Sequence, residues 1–459
     1  MAAIPFRAAD WGEGTEELLW FDSPAEAVAS MDATFGRYLP AQFARWDDLA
    51  TDEGMAHLCV SGVGGWYLRA ARTAEESGHP VPEGATMECS LEYLYKYEVR
   101  PTWIRYGHTA YLGAPAGDGS ALPGPLLGVW SCHHQRLVLP GDELWGHAKL
   151  GFRSSLGMSL TCKDHLAHLH WIKANGLHNA AREALSPDHP VRRLLKQHYY
   201  GTGEINFSSK DMLLPVGQFA HRTFALSDAG WVSYFTDVVR DFKYESLPQS
   251  FAARGLPQSF LDAWPVSADG LRLWNCIGAY VRSFISLFYP SGDAQVAADA
   301  ELVAFWAHFE GQIDQGWCLP PLSFDSLVTL LTDLIWWVTG GHEFVGAIVE
   351  YLTPPDGLPG KIIDGRCDVD VQTYAQALVI IALTGIGQPS LMSDWTHLFH
   401  VPSWPKDVQQ SALEVVRQFQ SNLASCADEA EALNDTREKR GERKFVAFNP
   451  RLLETSVSI

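Results

Sequence analysis

Hydrophobic positions recur at helical spacing through most of the chain from residue 143 onward. Between residues 324 and 352 they return every three or four residues, and Trp336 and Trp337 fill the remaining face. A helix that is apolar nearly all round lies inside a fold, so we expect this one to be central. The same spacing predicts further helices over residues 165–185, 271–288 and 408–433.

A different pattern occupies the stretch from about residue 85 to residue 140. Short apolar segments at residues 106–112 and 126–131 are separated by turns rich in Gly and Pro, which is typical of strands. We therefore expect a mainly α protein with a small β-element near residues 100–140. No Gly/Ser-rich linker and no internal repeat divides the sequence, so a single large domain spanning residues 1–459 is predicted.

Composition narrows the possible partners and the cellular location. The chain has 459 residues, is 47% hydrophobic and carries a formal net charge of −20, which disfavours nucleic acid and anionic lipid headgroups as partners. No secretory leader and no uncharged stretch of about 20 residues is present, so we expect a soluble, cytoplasmic protein without a transmembrane segment. Its eight cysteines form no CxxC pair, which argues against a disulfide framework or a Cys-based zinc site.

Histidines are concentrated on two of the predicted helices. The segment DHLAHLHWIKANGLH contains His165, His168, His170 and His178, and WWVTGGHEFVG contains His342. One buried histidine is most simply a satisfied core residue, but several on apolar helices favour a metal site, because an unpaired buried imidazole is costly. Imidazole binds iron, zinc, copper and nickel alike, so these residues do not choose the metal.

Helix geometry alone favours one pair of these histidines. Residues three or four apart share a face of an α-helix, which selects His165 with His168. His165 and His170 are five residues apart, so they converge only if the helix widens into a π-type turn, a feature often found at functional sites.

The segment 165–206 resembles the signature of the lipoxygenases. HLAHLH places His165 and His170 on the two iron-ligating histidines of that family, and LSPDHPVRRLLKQHYYGTGEIN resembles the conserved stretch that follows. His342, in WWVTGGHEFVG, takes the place of the third histidine, and the chain ends in SVSI, as many members do. Further resemblances lie at residues 51–69 (TDEGMAHLCVSGVGGWYLR), 144–149 (LWGHAK) and 267–289 (SADGLRLWNCIGAYVRSFISLFY).

The resemblance implies one non-heme iron ion held by His165, His170, His342 and the α-carboxylate of Ile459. His168 is then a bystander. The apolar end of the chain, FVAFNPRLLETSVSI, suits a buried terminus better than a solvated tail. The implied fold is a lipoxygenase-like catalytic domain over residues 1–459, lacking the N-terminal β-sandwich domain of many eukaryotic members.

The implied reaction is a dioxygenation. The enzyme would abstract hydrogen from a 1,4-diene of a polyunsaturated fatty acid or similar lipid and add O2 to give a hydroperoxide, with no catalytic group beyond the iron-bound water. The family's INxxA pattern falls on residues 205–209, so Ile205 and Ser209 are candidate substrate-binding residues. Leu213 lies where family members clamp the pentadiene.

Three departures from the family pattern keep other functions open. Gly346 replaces a weak Asn ligand, and Val349 and Thr161 replace two glutamines near the metal. One alternative is therefore an iron oxygenase of the same fold that acts on a specialised metabolite other than a fatty acid. Another is a non-catalytic lipid-binding relative.

Overall fold

The computed structural model describes residues 46, 48–115, 122–314, 316–346, 351, 357–366 and 389–458. Their contacts group the chain into two compact units. The first takes in the described parts of residues 1–163, 207–235 and 347–387. The second takes in those of residues 164–206, 236–346 and 388–459. The prediction of a single domain stays a prediction.

The first unit is built on a five-stranded antiparallel sheet whose strands neighbour one another in sequence order. The strands are β1 Leu68–Ala70, β2 Met87–Ser90, β3 Thr109–Leu112, β4 Leu126–Ser131 and β5 Arg136–Val138. β3 is buried along its whole length, and its pairing with β4 shifts register between Tyr111 and Leu112. The sheet is therefore an internal element of this unit.

Helices and short 3-10 turns complete the first unit. They are the helices Asp52–Val60, Ala74–Ser77, Trp145–Met158 and Phe219–Thr223, with 3-10 turns at Val63–Tyr67 and Glu92–Leu94. Helix Trp145–Met158 is anchored through Leu150, which packs with Ile104 and Ile362. Thr51 caps the first helix by accepting a hydrogen bond from the Gly54 backbone N–H.

Most of the described second unit is helical. Its helices are Asn175–Glu183, Pro190–Leu195, Leu247–Ala252, Gln258–Ala263, Pro265–Phe288, Asp293–Ala298, Ala300–Gln312, Phe324–Trp336, His342–Gly346 and Lys406–Lys439, with π-helical turns at Trp337–Gly341 and 3-10 turns at Lys196–Tyr199, Thr396–Phe399 and Pro450–Leu452. Three further helices each contain residues assigned to both units. They are the π-helix Ser159–Ala174 and the α-helices Thr202–Met212 and Asp228–Arg240.

The core of the second unit forms around helix Phe324–Trp336. Every residue from Leu330 to Trp336 is buried, which confirms the expectation of a helix that is enclosed on all sides. Helix Pro265–Phe288 packs against it and against Lys406–Lys439, where the rings of Tyr280 and Phe419 stack 4.1 Å apart.

The predicted fold class, mainly α with a small β-element, is confirmed. The strand predicted at 126–131 is observed with those bounds, whereas the sheet begins earlier than expected, at Leu68. β1 has three residues, too few for an alternating pattern to be detected. Among the described residues, none of the helices combines the length and apolarity needed to cross a bilayer.

Candidate metal centre

The first histidine helix is the π-helix Ser159–Ala174, which contains His165 and His170. In a π-helix the backbone hydrogen bonds join residue i to residue i+5, so residues five apart lie one above the other. The two imidazoles accordingly approach each other, with ring centroids 4.7 Å apart. The widened helix that their spacing required is present.

The second histidine helix changes geometry just before its histidine. Phe324–Trp336 is α-helical, Trp337–Gly341 is π-helical, and His342 begins the following α-helical turn. A Cβ at Gly340 would lie 2.8 Å from the Leu273 side chain, so only glycine lets these helices approach so closely. The close approach buries His342 to 5% exposure.

A buried carboxylate holds the second histidine helix in place. Asp333 accepts hydrogen bonds from the Tyr244 hydroxyl at 2.6 Å, the Trp274 indole N–H at 2.6 Å and the Leu247 backbone N–H at 3.2 Å. Burial raises the pKa of Asp333 to about 6, although the three hydrogen bonds favour the charged carboxylate and so act to lower this pKa. Three fixed donors therefore lock the helix nine residues before His342.

Three imidazole nitrogens meet between the two histidine helices. The Nε2 atom of His165 lies 3.0 Å from Nε2 of His170 and 3.1 Å from Nε2 of His342. Ligand atoms of the three residues all lie within 4.8 Å of one another. Donor atoms about 2.1 Å from one ion have this spacing when they occupy neighbouring coordination positions.

Asn206 sets the orientation of one ligand ring. Its side-chain oxygen accepts a hydrogen bond from Nδ1 of His170 at 2.9 Å, and its amide donates to the His170 carbonyl at 3.0 Å. Because Nδ1 carries the proton, the Nε2 lone pair of His170 faces the other two histidines. No local sequence pattern indicates this role of Asn206, because its partner His170 lies 36 residues away.

Two of the three histidines, His165 and His342, are held in the neutral form by their surroundings. Burial, and then the neighbouring rings of His170 and His342, hold the pKa of His165 well below its ordinary value. Burial and His170 likewise lower the pKa of His342 to about 3. Neutral imidazole is the form that binds transition metals, so this donor set fits an ion of the iron, zinc, copper or nickel class.

His168 does not belong to this group. Its Nε2 lies 3.1 Å from the Val238 carbonyl, to which it donates, and its ring packs edge-on against Phe242 at 5.2 Å. The pair favoured by α-helical spacing, His165 with His168, is therefore wrong. The π-helix replaces that spacing with one of five residues.

Gly346 touches the centre directly. A Cβ at this position would lie 2.8 Å from Nε2 and 2.9 Å from Cδ2 of His165. The space that a longer side chain would need is filled by the imidazole itself. Residue 346 therefore faces the three histidines, as expected from its alignment with the family's weak Asn ligand. Glycine, however, offers no side-chain donor at this position.

The last described residues run close to the same group. Glu454 Oε2 lies 3.9 Å from Nδ1 of His342, and burial raises the pKa of this carboxyl to about 8. Residues 198–202 hold the segment through three bonds: His198 Nδ1 to the Thr455 carbonyl, Thr202 hydroxyl to the Val457 carbonyl, and Ser456 hydroxyl to the Tyr200 carbonyl. Glu454 was not among the predicted site residues, because its only signal in the sequence is one acidic group in an apolar segment.

The other predicted site residues have more varied positions. Ile205 and Ser209 lie on helix Thr202–Met212, the first half-buried and the second buried, and Leu213 follows the helix half-buried. Ile459 and Val349 lie outside the described residues. Their predicted roles stay predictions.

Comparison with known proteins agrees with this geometry. The family model named Lipoxygenase matches residues 158–348, a range that contains all three converging histidines. A structure of a lipoxygenase variant in complex with arachidonate superposes with a TM-score of 0.77 over 95% of this chain and 74% of its own, at 16% identity. These likenesses support a divergent member of the lipoxygenase family.

Curated lipoxygenases match at low identity. An epidermal-type polyunsaturated fatty acid (12S)/(13S)-lipoxygenase from Mus musculus is 28% identical over 72% of this chain and 51% of its own length. Chloroplastic lipoxygenase 7 from Oryza sativa is 28% identical over 44% of this chain. That match spans 24% of the rice protein, so the chain aligns with about a quarter of this relative.

Proposed function

We propose that this lipoxygenase relative is a non-heme iron dioxygenase acting on a polyunsaturated fatty acid or a similar lipid. The observation that carries the proposal is the convergence of three imidazole nitrogens, 3.0–3.1 Å from one to the next, on two helices inside the matched range. When bound, iron supplies the one-electron chemistry that lets a 1,4-diene lose a hydrogen atom and take up O2 as a hydroperoxide. The proposed partners of the protein are a small-molecule substrate and O2, and its proposed location is the cytoplasm.

The proposed ligand set is His165, His170, His342 and the α-carboxylate of Ile459. Three hydrogen bonds, two of them buried, fix the chain up to Val457, and Val457 itself is fully buried. This anchoring supports a terminus held inside the protein near His342 rather than one in solvent. A hard carboxylate oxygen beside three imidazoles suits iron.

The residues of the chain have distinct parts in the proposed reaction. Asn206 keeps the Nε2 lone pair of His170 directed at the ion, and burial keeps protons off the ligand nitrogens. Ile205, Ser209 and Leu213 are proposed to border the reacting diene, with the small Ser209 side chain governing where O2 enters.

Gly346 favours a second candidate, an oxygenase of the same fold that acts on a specialised metabolite. The His165 ring lies against Gly346, the position at which the family resemblance implies an additional side-chain ligand. An ion here would have one fewer protein ligand, and this alters its redox behaviour and the room beside it. A non-catalytic lipid-binding relative would keep the fold without turnover.

Metal analysis combined with oxygen uptake tests the proposal. We expect iron in the purified protein, and oxygen consumption with linoleate, arachidonate or a non-lipid diene, accompanied by hydroperoxide absorbance. A tag added after Ile459 should abolish both iron and turnover, because it turns the terminal carboxylate into an amide. The matched control carries the same tag at the N-terminus. Full iron loading and turnover of the C-terminally tagged protein would refute Ile459 as a ligand.

A further inference from the structure

A second group of metal-ligating side chains lies in the first unit. His133 and His134 occupy the turn between β4 and β5, and Asp364 lies in the segment 357–366. His133 Nε2 and Asp364 Oδ1 are 3.0 Å apart, and ligand atoms of all three residues lie within 4.8 Å of one another. We propose that these three residues form a second site, for a divalent transition-metal ion of the zinc type.

The turn presents its two histidines in a constrained conformation. Gln135 has a φ of +51°, in the left-handed region that side chains other than glycine seldom adopt, and its amide donates to the Cys132 carbonyl at 2.7 Å. Backbone strain of this kind is concentrated at binding sites. The strained turn projects adjacent side chains, His133 and His134, toward one carboxylate.

His134 has a fixed ring orientation. Its Nδ1 lies 2.9 Å from the Ser131 hydroxyl, which is itself 3.1 Å from Nε2 of His108. A hydrogen bond at one ring nitrogen is the usual means of directing the other toward a metal. The bond at Nδ1 leaves Nε2 of His134 for the ion.

His147 gives independent evidence for a ligand. Its side chain is 2% exposed, and within the described part of the chain neither of its ring nitrogens has a hydrogen-bond partner. Its ring centroid lies 5.1 Å from that of His134 and 6.5 Å from that of His133. Burying an imidazole whose two nitrogens lack hydrogen-bond partners costs free energy. An ion bound by the cluster would offset this cost by taking His147 as its fourth ligand.

An ion would reach the proposed site from solvent, and the Asp364 carboxylate would supply the negative charge that binds it. The Asp364 side chain is 55% exposed and that of His133 19%. Two imidazoles with one carboxylate form a donor set found in zinc sites, and His147 offers the fourth coordination position. None of these residues contributes to the group formed by His165, His170 and His342.

His133 is the ligand with a competing contact. The Arg105 backbone N–H lies 3.3 Å from Nδ1 of His133, a long hydrogen bond that favours a proton on Nε2. Binding of an ion at Nε2 requires the opposite tautomer, so this contact must open. We therefore expect His133 to contribute less affinity than Asp364 or His134.

Metal titration of the full-length protein tests the proposal. Zn²⁺ alone, added after removal of loosely bound metal, should bind wild type with one equivalent more than Asp364→Asn, and should raise the melting temperature of wild type more. Affinity at this site should fall about 10–100-fold in Asp364→Asn and His134→Gln, and less in His133→Gln. His400→Gln, at an exposed histidine of the second unit, is the matched control.

Two outcomes would overturn the second site. One is an equal zinc stoichiometry and affinity in wild type, Asp364→Asn and His134→Gln. The other is an equal loss in His400→Gln, which would mean that scattered surface histidines hold the extra zinc. Because Asp364 is exposed, its substitution leaves the fold intact. His134→Gln tests the same proposed site by an independent substitution.

Discussion

The two histidine groups use the same side chain in opposite surroundings. His170 and His342 are 3% and 5% exposed and are enclosed by helices, whereas the Asp364 side chain of the proposed second site is 55% exposed. The buried group relies on neutrality and on a fixed partner, Asn206, while the exposed group supplies its own negative charge. Burial prepares an ion for chemistry away from water, and exposure favours exchange with metal in solution.

The largest expected effect comes from removing a buried ligand. His170→Ala should lower metal affinity at the buried centre by more than about 100-fold, because two imidazoles cannot replace the third. His168→Ala is the matched control, since His168 donates to the Val238 carbonyl and lies outside the ligand group. Iron per chain, measured by elemental analysis of proteins purified alike, distinguishes the two. Equal iron loss in both variants would return His168 to the ligand set.

The second-largest effect tests whether Asn206 orients the imidazole ring of His170. Asn206→Ala removes the acceptor for Nδ1 of His170, so metal affinity should fall about 10–100-fold. Asn206→Asp keeps an acceptor at that position and should recover most of the affinity. The readout is a metal-binding titration with Co²⁺, followed by its visible absorbance. If Asn206→Ala bound cobalt as tightly as wild type, the packing of the two helices alone would orient the ring.

A smaller loss is expected from crowding the buried centre. In Gly346→Ala the new methyl group would lie 2.8 Å from Nε2 of His165, so the ring must shift and metal affinity should fall about tenfold. Gly311→Ala is the control, because a Cβ there meets no atom within 4 Å. Both variants are compared by iron content and by the electron paramagnetic resonance signal. An unchanged signal in folded Gly346→Ala would show that the ring accommodates the methyl group freely.

The contrast between the two groups also explains how far sequence reasoning could go. Helical periodicity identified the central helix, and the resemblance selected His165 with His170 although α-helical spacing favoured His168. The roles of Asn206 and Glu454 depend on tertiary contacts 36 and 112 residues away in sequence from their histidine partners, and no local pattern encodes such distances. The same holds for Asp364, 231 residues from His133.

The last effect concerns folding stability instead of metal affinity and extends the contrast between buried and exposed histidines to it. His198 is fully buried and donates from Nδ1 to the Thr455 carbonyl, and burial lowers its pKa to about 4. In the unfolded chain its pKa is about 6.5, so the unfolded state binds the extra proton as pH falls between these values, and stability is lost. From pH 7 to pH 5 this residue should cost the folded protein about 2 kcal/mol.

His198→Asn isolates that contribution, because asparagine can keep an N–H near the position of Nδ1 but does not titrate. We expect the free energy of unfolding, measured by denaturant titration of the metal-free protein, to fall less steeply with acidification in His198→Asn than in wild type. His397→Asn removes an exposed imidazole instead and should leave the slope unchanged. Other buried histidines titrate in the same direction in all three proteins, so the difference between slopes belongs to His198. Identical slopes in wild type and His198→Asn would mean that this imidazole takes up its proton without breaking its bond to the chain end, and that burial alone does not keep it neutral.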